Sequence, residues 1–236
     1  MRTILKVLVG SRAHGLAREG SDADYRGVFV NSTLAILAAQ AGLGERPRDT
    51  AWLEGEVKPD TSDMASDRVD DTAWELGHFL NLAARGNSTA LEVLWAPVVE
   101  STAYGARLHV LRNVAWSPRS VRDAFVGYAS NQRKKFLAGM ADPRARKYAC
   151  ANLRVLYQGW RLLEPGELPV DLRGALDDVY ATLTRWRDGD YTVGEVVEAC
   201  CDMEARVQVA YAVCKQRQDL GALTAFLDDV RKTFWY

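Results

Sequence analysis

The chain has 236 residues, of which 48% are hydrophobic and 26% are charged, as is typical of a soluble globular protein with one large domain or two small ones. Its formal net charge is −1, so no overall basic field holds long nucleic acid by charge alone, although a local basic patch is compatible with this balance. The N-terminal apolar run, residues 4–9, is too short for a secretory signal or a membrane span, which predicts a cytoplasmic protein without a membrane partner.

The cysteines and histidines do not form a metal-binding pattern. No CxxC pair occurs, and the histidines are far from the cysteines in the sequence; these residues are Cys150, Cys200, Cys201, Cys214, His14, His78 and His109. A zinc site is therefore not expected. Reduced cysteines packed within helices are typical of an intracellular protein, and we expect them here.

The N-terminal region combines a predicted strand, a small-residue turn and two acids. Residues 4–9 predict a buried strand, which Gly10-Ser11 ends in a turn, and Asp22 and Asp24 precede a second predicted strand. Residues two apart on a strand share a face, so both carboxylates point the same way. Two neighbouring anions need a cation between them, and a hard ion such as Mg²⁺ prefers oxygen ligands. The turn offers backbone N–H groups and a hydroxyl to a phosphate.

The order strand, Gly-Ser, ten residues and Asp-x-Asp resembles the signature of the polymerase-β-like nucleotidyltransferase superfamily. The longer string GSRAHG…SDADYRGVFV, over residues 10–30, resembles a predicted-nucleotidyltransferase branch that is common in bacteria and phages and often linked to RNA repair. The resemblance covers roughly residues 4–97. It implies an α+β fold with a small mixed β-sheet core, flanking helices and a following helical bundle. A phage-encoded member would act in the host cytoplasm.

The resemblance also implies a metal site. Asp22, Asp24 and a third carboxylate on an adjacent strand would hold two Mg²⁺ ions, or Mn²⁺ in their place. The third acid aligns best with Asp70, because residues 74–76, Trp-Glu-Leu, then fall in register with the family pattern. Asp71 is the alternative, and it could equally be the N-cap of the next helix. The next acids to consider are Asp63 and Asp67.

The implied activity is nucleotidyl transfer. A nucleoside monophosphate would move from a nucleoside triphosphate, such as ATP, to an acceptor hydroxyl with release of pyrophosphate, and Asp70 would act as base toward that hydroxyl. Arg12 follows the turn directly but could equally be a surface arginine, and Arg26 would contact a phosphate or base, or orient the carboxylates. The predicted nucleotide-binding residues are Gly10, Ser11, Arg12, Ser21, Arg26, Lys147 and Arg154.

Helical periodicity dominates from about residue 101, which predicts two domains. Residues 1–100 would form the nucleotidyltransferase α/β domain, and residues 101–236 would form a helical substrate-binding domain. Among the predicted helices are those over residues 72–85 and 171–188, each placed on its apolar spacing.

One helical face of the second half concerns the site. Lys147, Arg154 and Gln158 lie at i, i+7 and i+11, so they share a face that is either a wet surface or a source of cations for a split active site. His14 is expected to pack against a helix or lie at the surface. Glu92 is a functional candidate that a helix-surface position would explain nearly as well.

The acceptor, the nucleotide and the oligomeric state stay open. An RNA or tRNA end, a protein hydroxyl, a small molecule and modified phage DNA are all compatible acceptors. The alternative function is a catalytically silent module that binds a nucleotide or a partner protein on the same fold. Ribonuclease activity of the helical half is not expected, because the sequence has no histidine after His109.

Overall fold

The structure is a computed structural model that describes residues 1–52, 71–140, 142 and 144–236. Its described part contains a mixed five-stranded sheet with flanking helices, followed by C-terminal helices, so the predicted α+β class is confirmed. The candidate acids Asp63, Asp67 and Asp70 lie outside the described residues. Within the described ranges, no helix has the length and apolar character needed to cross a membrane.

The strands of the sheet are β1 (Arg2–Val9), β2 (Asp24–Val30), β3 (Thr50–Trp52), β4 (Asp71–Glu75) and β5 (Val98–Ser101). Their order across the sheet is β3-β4-β2-β1-β5. β1 pairs antiparallel with β2 and β5, whereas β2 and β4 are parallel and β3 runs antiparallel to β4. The C-terminal end of β1 is therefore next to the start of β2, where Val9 lies opposite Asp24.

The described α-helices are α1 (Gly10–Ala13), α2 (Thr33–Gln40), α3 (Leu76–Ala84), α4 (Ser88–Val93), α5 (Ala103–Val110), α6 (Pro118–Ala138), α7 (Ala145–Leu163), α8 (Val179–Arg187), α9 (Val193–Val213) and α10 (Leu220–Thr233). Several begin at the caps that the sequence contains. Ser117 and Ser120 form a capping box before Pro118 starts α6, and Thr192 accepts a hydrogen bond from the backbone of Glu195 in α9.

The strand β1 lies between β2 and β5 and contributes most of its apolar residues to the core. Ile4, Leu5, Val7 and Val9 are all buried, whereas Lys6 and Leu8 between them are half-buried. Gly10 follows the strand with a φ of 70°, which a residue with a side chain rarely adopts. This residue therefore ends β1 and turns the chain into α1.

The resemblance implies a strand next to β2, which is β4, but this strand extends further along the chain than predicted, and β5 was not predicted at all. Residues 71–75 form β4, so the prediction of a helix over 72–85 was wrong at its start, and α3 begins only at Leu76. Glu75 makes the change from strand to helix, because its Oε2 accepts a hydrogen bond from Gly77 N at 2.6 Å. β5 is exposed along its whole length, so it lacks the alternation of buried and exposed residues that predicts a strand.

The predicted helix over residues 171–188 was also too long. Only Val179–Arg187 is helical. Asp177 and Asp178 have φ angles of 57° and 55°, in the left-handed region, and such residues do not continue a right-handed helix. The apolar spacing before them belongs to an irregular segment that packs onto the core.

This irregular segment and the start of α8 are hydrogen-bonded to the N-terminal turn. Leu172 N donates to the carbonyl oxygen of His14 at 3.2 Å. The hydroxyl of Tyr180 donates to the carbonyl oxygen of Gly15 at 2.9 Å. Both halves also share one contiguous hydrophobic core that extends from β1 to α10. The division of the chain near residue 100 therefore stays a prediction.

The four cysteines are free thiols, as expected. Cys150 and Cys200 are buried in α7 and α9, whereas Cys201 is exposed. The expectation that the cysteines pack inside helices is wrong for Cys201, because consecutive residues of a helix face different directions, and for Cys214, which follows the end of α9 and is half-buried.

Candidate active site

A cleft of about 710 Å³ opens where the end of β1 and the start of β2 face α7 and the end of α8. The predicted site residues that line it are Gly10, Ser11, Ser21, Asp22, Asp24, Lys147 and Arg154. Arg12 and Arg26 are not among its lining residues, and Asp70 lies outside the described residues. The fold thus brings the N-terminal turn, the two acids and the cationic helix face together in one cavity.

Gly10 and Asp24 are in close contact at the mouth of this cleft. A Cβ atom added to Gly10 would lie 2.9 Å from Asp24 Cγ and 3.0 Å from Asp24 Cβ. Asp24 is the first residue of β2 and lies opposite Val9, the last residue of β1. The turn therefore needs glycine for two reasons: its positive φ and the space that the carboxylate occupies.

Arg12 stabilises the loop that leads to the acids. Its Nε and Nη2 donate to the carbonyl oxygen of Ser21 at 3.0 and 2.7 Å. Ser21 Oγ accepts a hydrogen bond from Arg18 N at 2.8 Å, and Ser21 N donates to Arg18 O at 3.0 Å. These bonds fix the turn directly before Asp22, which is exposed in the cleft.

Arg26 lies on β2, two residues beyond Asp24. Its Nη1 donates to the carbonyl oxygen of Tyr25 at 2.9 Å, and its side chain is half-buried. The predicted contact of Arg26 with a phosphate or base stays a prediction.

The helical half lines the opposite side with positive charge. Lys147 and Arg154 of α7 both reach the cleft, and so does Ala151 between them, as the shared helical face predicts. Further cations line the same cavity although the sequence did not single them out: Arg18, Arg144, Arg146 and Arg187. The basic residues within 144–147 could have indicated a basic site from the sequence alone. The sequence near Arg187 gives no such indication.

Cys150 also lines the cleft, directly before Ala151 on α7. Burial raises the pKa of its thiol to about 11, and its Sγ is 3.6 Å from the carbonyl oxygen of Leu183. The thiol is therefore protonated at neutral pH and is not a nucleophile there.

A buried polar group lies against this cleft. His14 Nε2 is hydrogen-bonded to Glu92 Oε1, and both residues are less than a tenth exposed. Arg154 Nη1 lies 3.8 Å from the same Glu92 oxygen and donates to Gln158 Oε1 at 2.8 Å. His14 was expected to lie at the surface or to pack against a helix, and it packs against Glu92 of α4. Glu92 is itself buried and does not lie on a helix surface.

The pKa values of His14 and Glu92 are shifted from their ordinary values. Burial lowers the pKa of His14, and the charge of Arg154 lowers it further. Burial raises the pKa of Glu92, but its interactions with His14, Arg154 and Arg26 outweigh burial and bring it to about 2. At neutral pH the imidazole is therefore neutral and donates its Nε2–H to the Glu92 carboxylate, whose opposing charge is Arg154.

The donors in the cleft suit a hard metal ion. Among the described residues there is no group of three or more His, Cys, Asp or Glu side chains that could hold a metal. Asp22 and Asp24 nevertheless present two carboxylates to the cleft, and carboxylate oxygens are the ligands that Mg²⁺ and Mn²⁺ prefer. Mg²⁺ is commonly bound by one or two carboxylates together with substrate phosphates, so this donor set fits such an ion.

Known proteins resemble the chain over most of its length. The model of a family described as the RNA repair pathway DNA polymerase beta family matches residues 1–199. A curated relative, an uncharacterized 38.9 kDa protein in the nrdC-mobD intergenic region of Enterobacteria phage T4, is 24% identical over 139 residues. The match covers 58% of this chain but only 39% of that relative. No solved structure matches the chain.

Proposed function

The chain belongs to the RNA repair pathway DNA polymerase beta family, and from this membership we propose that it is a metal-dependent nucleotidyltransferase. It would move a nucleoside monophosphate from a nucleoside triphosphate to an acceptor hydroxyl and release pyrophosphate. The observation that supports this most is the cleft itself, in which Gly10, Ser11, Asp22 and Asp24 share one cavity with a wall of arginine and lysine. Such a cavity suits a polyphosphate that is bound together with a divalent cation.

Asp22, Asp24 and Asp70 would hold the divalent cations, Mg²⁺ or Mn²⁺. Bound cations of this kind polarise the phosphate under attack and increase the acidity of the acceptor hydroxyl. Asp70 would accept the proton of that hydroxyl, because a carboxylate next to the acceptor is the base that the reaction needs. Asp22 and Asp24 would act as ligands of the cation and not as bases.

The strand register supports Asp70 rather than Asp71 as the third acid. β2 and β4 are parallel, and Tyr25 lies opposite Asp71. Opposite residues of a parallel pair share a face, and successive residues of a strand alternate between faces. Asp71 is therefore paired with Tyr25 and not with Asp24, so we keep Asp70 as the proposed third acid.

The triphosphate would be bound from both sides of the cleft. The backbone N–H of the Gly10-Ser11 turn and the Ser11 hydroxyl would donate to the terminal phosphates. Lys147 and Arg154 would neutralise the charge that develops on the departing pyrophosphate. These residues come from α1 and α7, so the nucleotide would span the two halves of the structure.

A basic segment beside the cleft supports a nucleic-acid acceptor. Residues 133–154 contain seven of the chain's 30 Lys and Arg but only one of its 31 Asp and Glu. Lys135 Nζ lies 5.7 Å from the centre of the Tyr148 ring, and Arg144, Arg146 and Lys147 continue the positive surface into the cleft. Cations interleaved with an aromatic ring suit a single strand of nucleic acid. We therefore propose the end of an RNA strand as the first acceptor to test.

The experiment is incubation of the protein with each labelled nucleoside triphosphate, Mg²⁺ and separate acceptors: an RNA oligonucleotide, a DNA oligonucleotide, a protein mixture and a small-molecule mixture. We expect label on the RNA oligonucleotide and none with Asp24→Asn. Asp228→Asn removes an exposed aspartate that pairs with Lys232 at 2.7 Å and serves as the control with normal transfer. Label on another acceptor would reassign the substrate, and nucleotide binding without any transfer would favour the silent binding module.

A further inference from the structure

His14 and Glu92 form a polar pair inside the protein that the proposed reaction does not use. They are 6% and 7% exposed and belong to segments that are 78 residues apart in the sequence. His14 follows α1 as its C-cap, and Glu92 lies in α4. Neither group touches the acids Asp22 and Asp24 through a hydrogen bond among the described residues. A buried carboxylate is costly for a fold unless it has partners, so a pair of this kind calls for a reason.

The pair extends to a residue of the cleft. Glu92 Oε1 lies 3.8 Å from Arg154 Nη1, and this nitrogen also donates to Gln158 Oε1 at 2.8 Å. Gln158 is 2% exposed, and its Nε2 donates to the carbonyl oxygen of Pro169 at 3.0 Å. Arg154 is thus held by α4 on one side and by its own helix on the other, with a side chain that is only 16% exposed.

Arg154 still has donors for a ligand. A guanidinium carries five N–H groups, and among the described residues Arg154 uses only Nη1 in a hydrogen bond. Its ion pair with Glu92 is long, so the carboxylate orients the guanidinium without occupying its remaining donors. An arginine held in this way at the base of a cleft is prepared to bind phosphate oxygens.

A second buried glutamate–arginine pair shows what a purely structural contact looks like in this protein. Glu75 Oε1 lies 2.6 Å from Arg231 Nη2, with side chains that are 6% and 17% exposed. This pair joins the start of α3 to α10 and does not line the cleft. It matches Glu92 and Arg154 in chemistry and burial but not in location.

We propose that Glu92 and His14 are positioning residues that set the Arg154 guanidinium at a fixed distance from the Gly10-Ser11 turn, so that both bind the same phosphate chain. This inference rests on the proposed nucleotide-binding role of the cleft. His14 supports it because the residue directly follows the α1 helix that begins at Gly10, and its imidazole donates to the carboxylate that faces Arg154. The pair therefore couples the two phosphate-binding elements through a path of direct contacts.

Binding of inorganic triphosphate with Mg²⁺, measured by calorimetry, tests this without any need for turnover. We expect Glu92→Gln to raise the Kd about tenfold, as for the loss of one charge-assisted hydrogen bond from Arg154 to a phosphate oxygen. Glu75→Gln, which breaks the other buried pair, should lower the melting temperature about as much as Glu92→Gln does. It should leave the Kd for triphosphate unchanged. In the Arg154→Ala background, Glu92→Gln should have no further effect, because its influence passes through Arg154.

The outcomes distinguish a failure of the proposed function from a failure of the positioning role alone. If the wild type does not bind triphosphate and transfers no nucleotide, the proposed function is overturned together with this role. If the wild type binds, but Glu92→Gln binds equally well or weakens binding additively with Arg154→Ala, only the positioning role is overturned. Should Glu92→Gln fail to fold, His14→Gln, which removes the imidazole and keeps the carboxylate, replaces it with the same expected direction.

Discussion

Gly10 lies so close to Asp24 that a Cβ atom on Gly10 would be 2.9 Å from the Asp24 Cγ. The turn that is proposed to bind phosphate and the acid that is proposed to bind metal are thus one packed unit. Their positions cannot change independently, and the first prediction follows from this contact.

Gly10→Ala should reduce nucleotidyl transfer by far more than its effect on stability. The positive φ of residue 10 costs about 1 kcal/mol for alanine, and the added methyl group displaces the Asp24 carboxylate. Gly42→Ala is the matched control, because Gly42 has a φ of 73° with nothing within 4 Å of an added Cβ. Melting temperatures and initial rates of both variants check this, and equal rates in the two variants would contradict it.

Asp22→Asn and Asp24→Asn should each abolish transfer while the fold is kept. Each change removes a proposed ligand of the metal, so the rise in melting temperature that Mg²⁺ gives the wild type should be lost with it. Thermal unfolding with and without Mg²⁺, together with rate measurements, checks both parts. Normal transfer by either variant would remove the assignment of the metal site.

Asp70→Asn should reduce the rate by orders of magnitude, whereas Asp71→Asn should leave it nearly normal. Asp70 would supply both a metal ligand and the base for the acceptor hydroxyl, and Asp71 lies one residue away on a strand that alternates its faces. Single-turnover rates of the two variants compare them directly. The reverse order of rates would move the role to Asp71, and two normal rates would point to Asp63 or Asp67.

The free energy of unfolding should fall as the pH is lowered below 6.5, which is the ordinary pKa of a histidine imidazole such as that of His14. The pKa of folded His14 is lowered by burial and by Arg154, so the unfolded chain binds the proton more readily and stability is lost as the pH falls. Burial lowers the pKa of His109 in the same direction. Below pH 4.5 the protonation of Glu92, whose folded pKa is about 2, extends the loss.

His14→Gln should make stability depend less steeply on pH. Adding His109→Gln should remove the remaining contribution of the histidines to this slope. Melting temperatures measured between pH 4.5 and 6.5 give the slope for each variant. A slope in His14→Gln as steep as that of the wild type would show that His14 does not titrate as its burial requires.

Local signals in the sequence predicted much of the N-terminal half of the site. The first strand, its glycine-serine turn and the two acids are close in the sequence, so their geometry follows from strand periodicity and turn chemistry. Lys147 and Arg154 were placed correctly on one helical face because seven residues are close to two helical turns. Their roles in binding stay predictions.

The parts that were missed depend on tertiary packing. Arg187 reaches the cleft from the end of α8, and only the folded chain brings it near Asp22. Glu92 was compatible with a helix surface, since nothing in its own segment shows that His14 and Arg154 surround it. The residues of β4 after Asp71 were assigned to the helix, because the strand is only five residues long and continues directly into the apolar spacing of α3.

The hydrogen bonds from Leu172 and Tyr180 to the carbonyl oxygens of His14 and Gly15 join the two walls of the cleft near its base. A hinge motion that widened the cleft would have to break both bonds and separate a shared core. The cavity is therefore assembled before a ligand arrives, and little binding energy is spent on closing one half over the other. If the proposed nucleotide binds here, we expect its rate of entry to be set by diffusion and by attraction to the cations of the cleft.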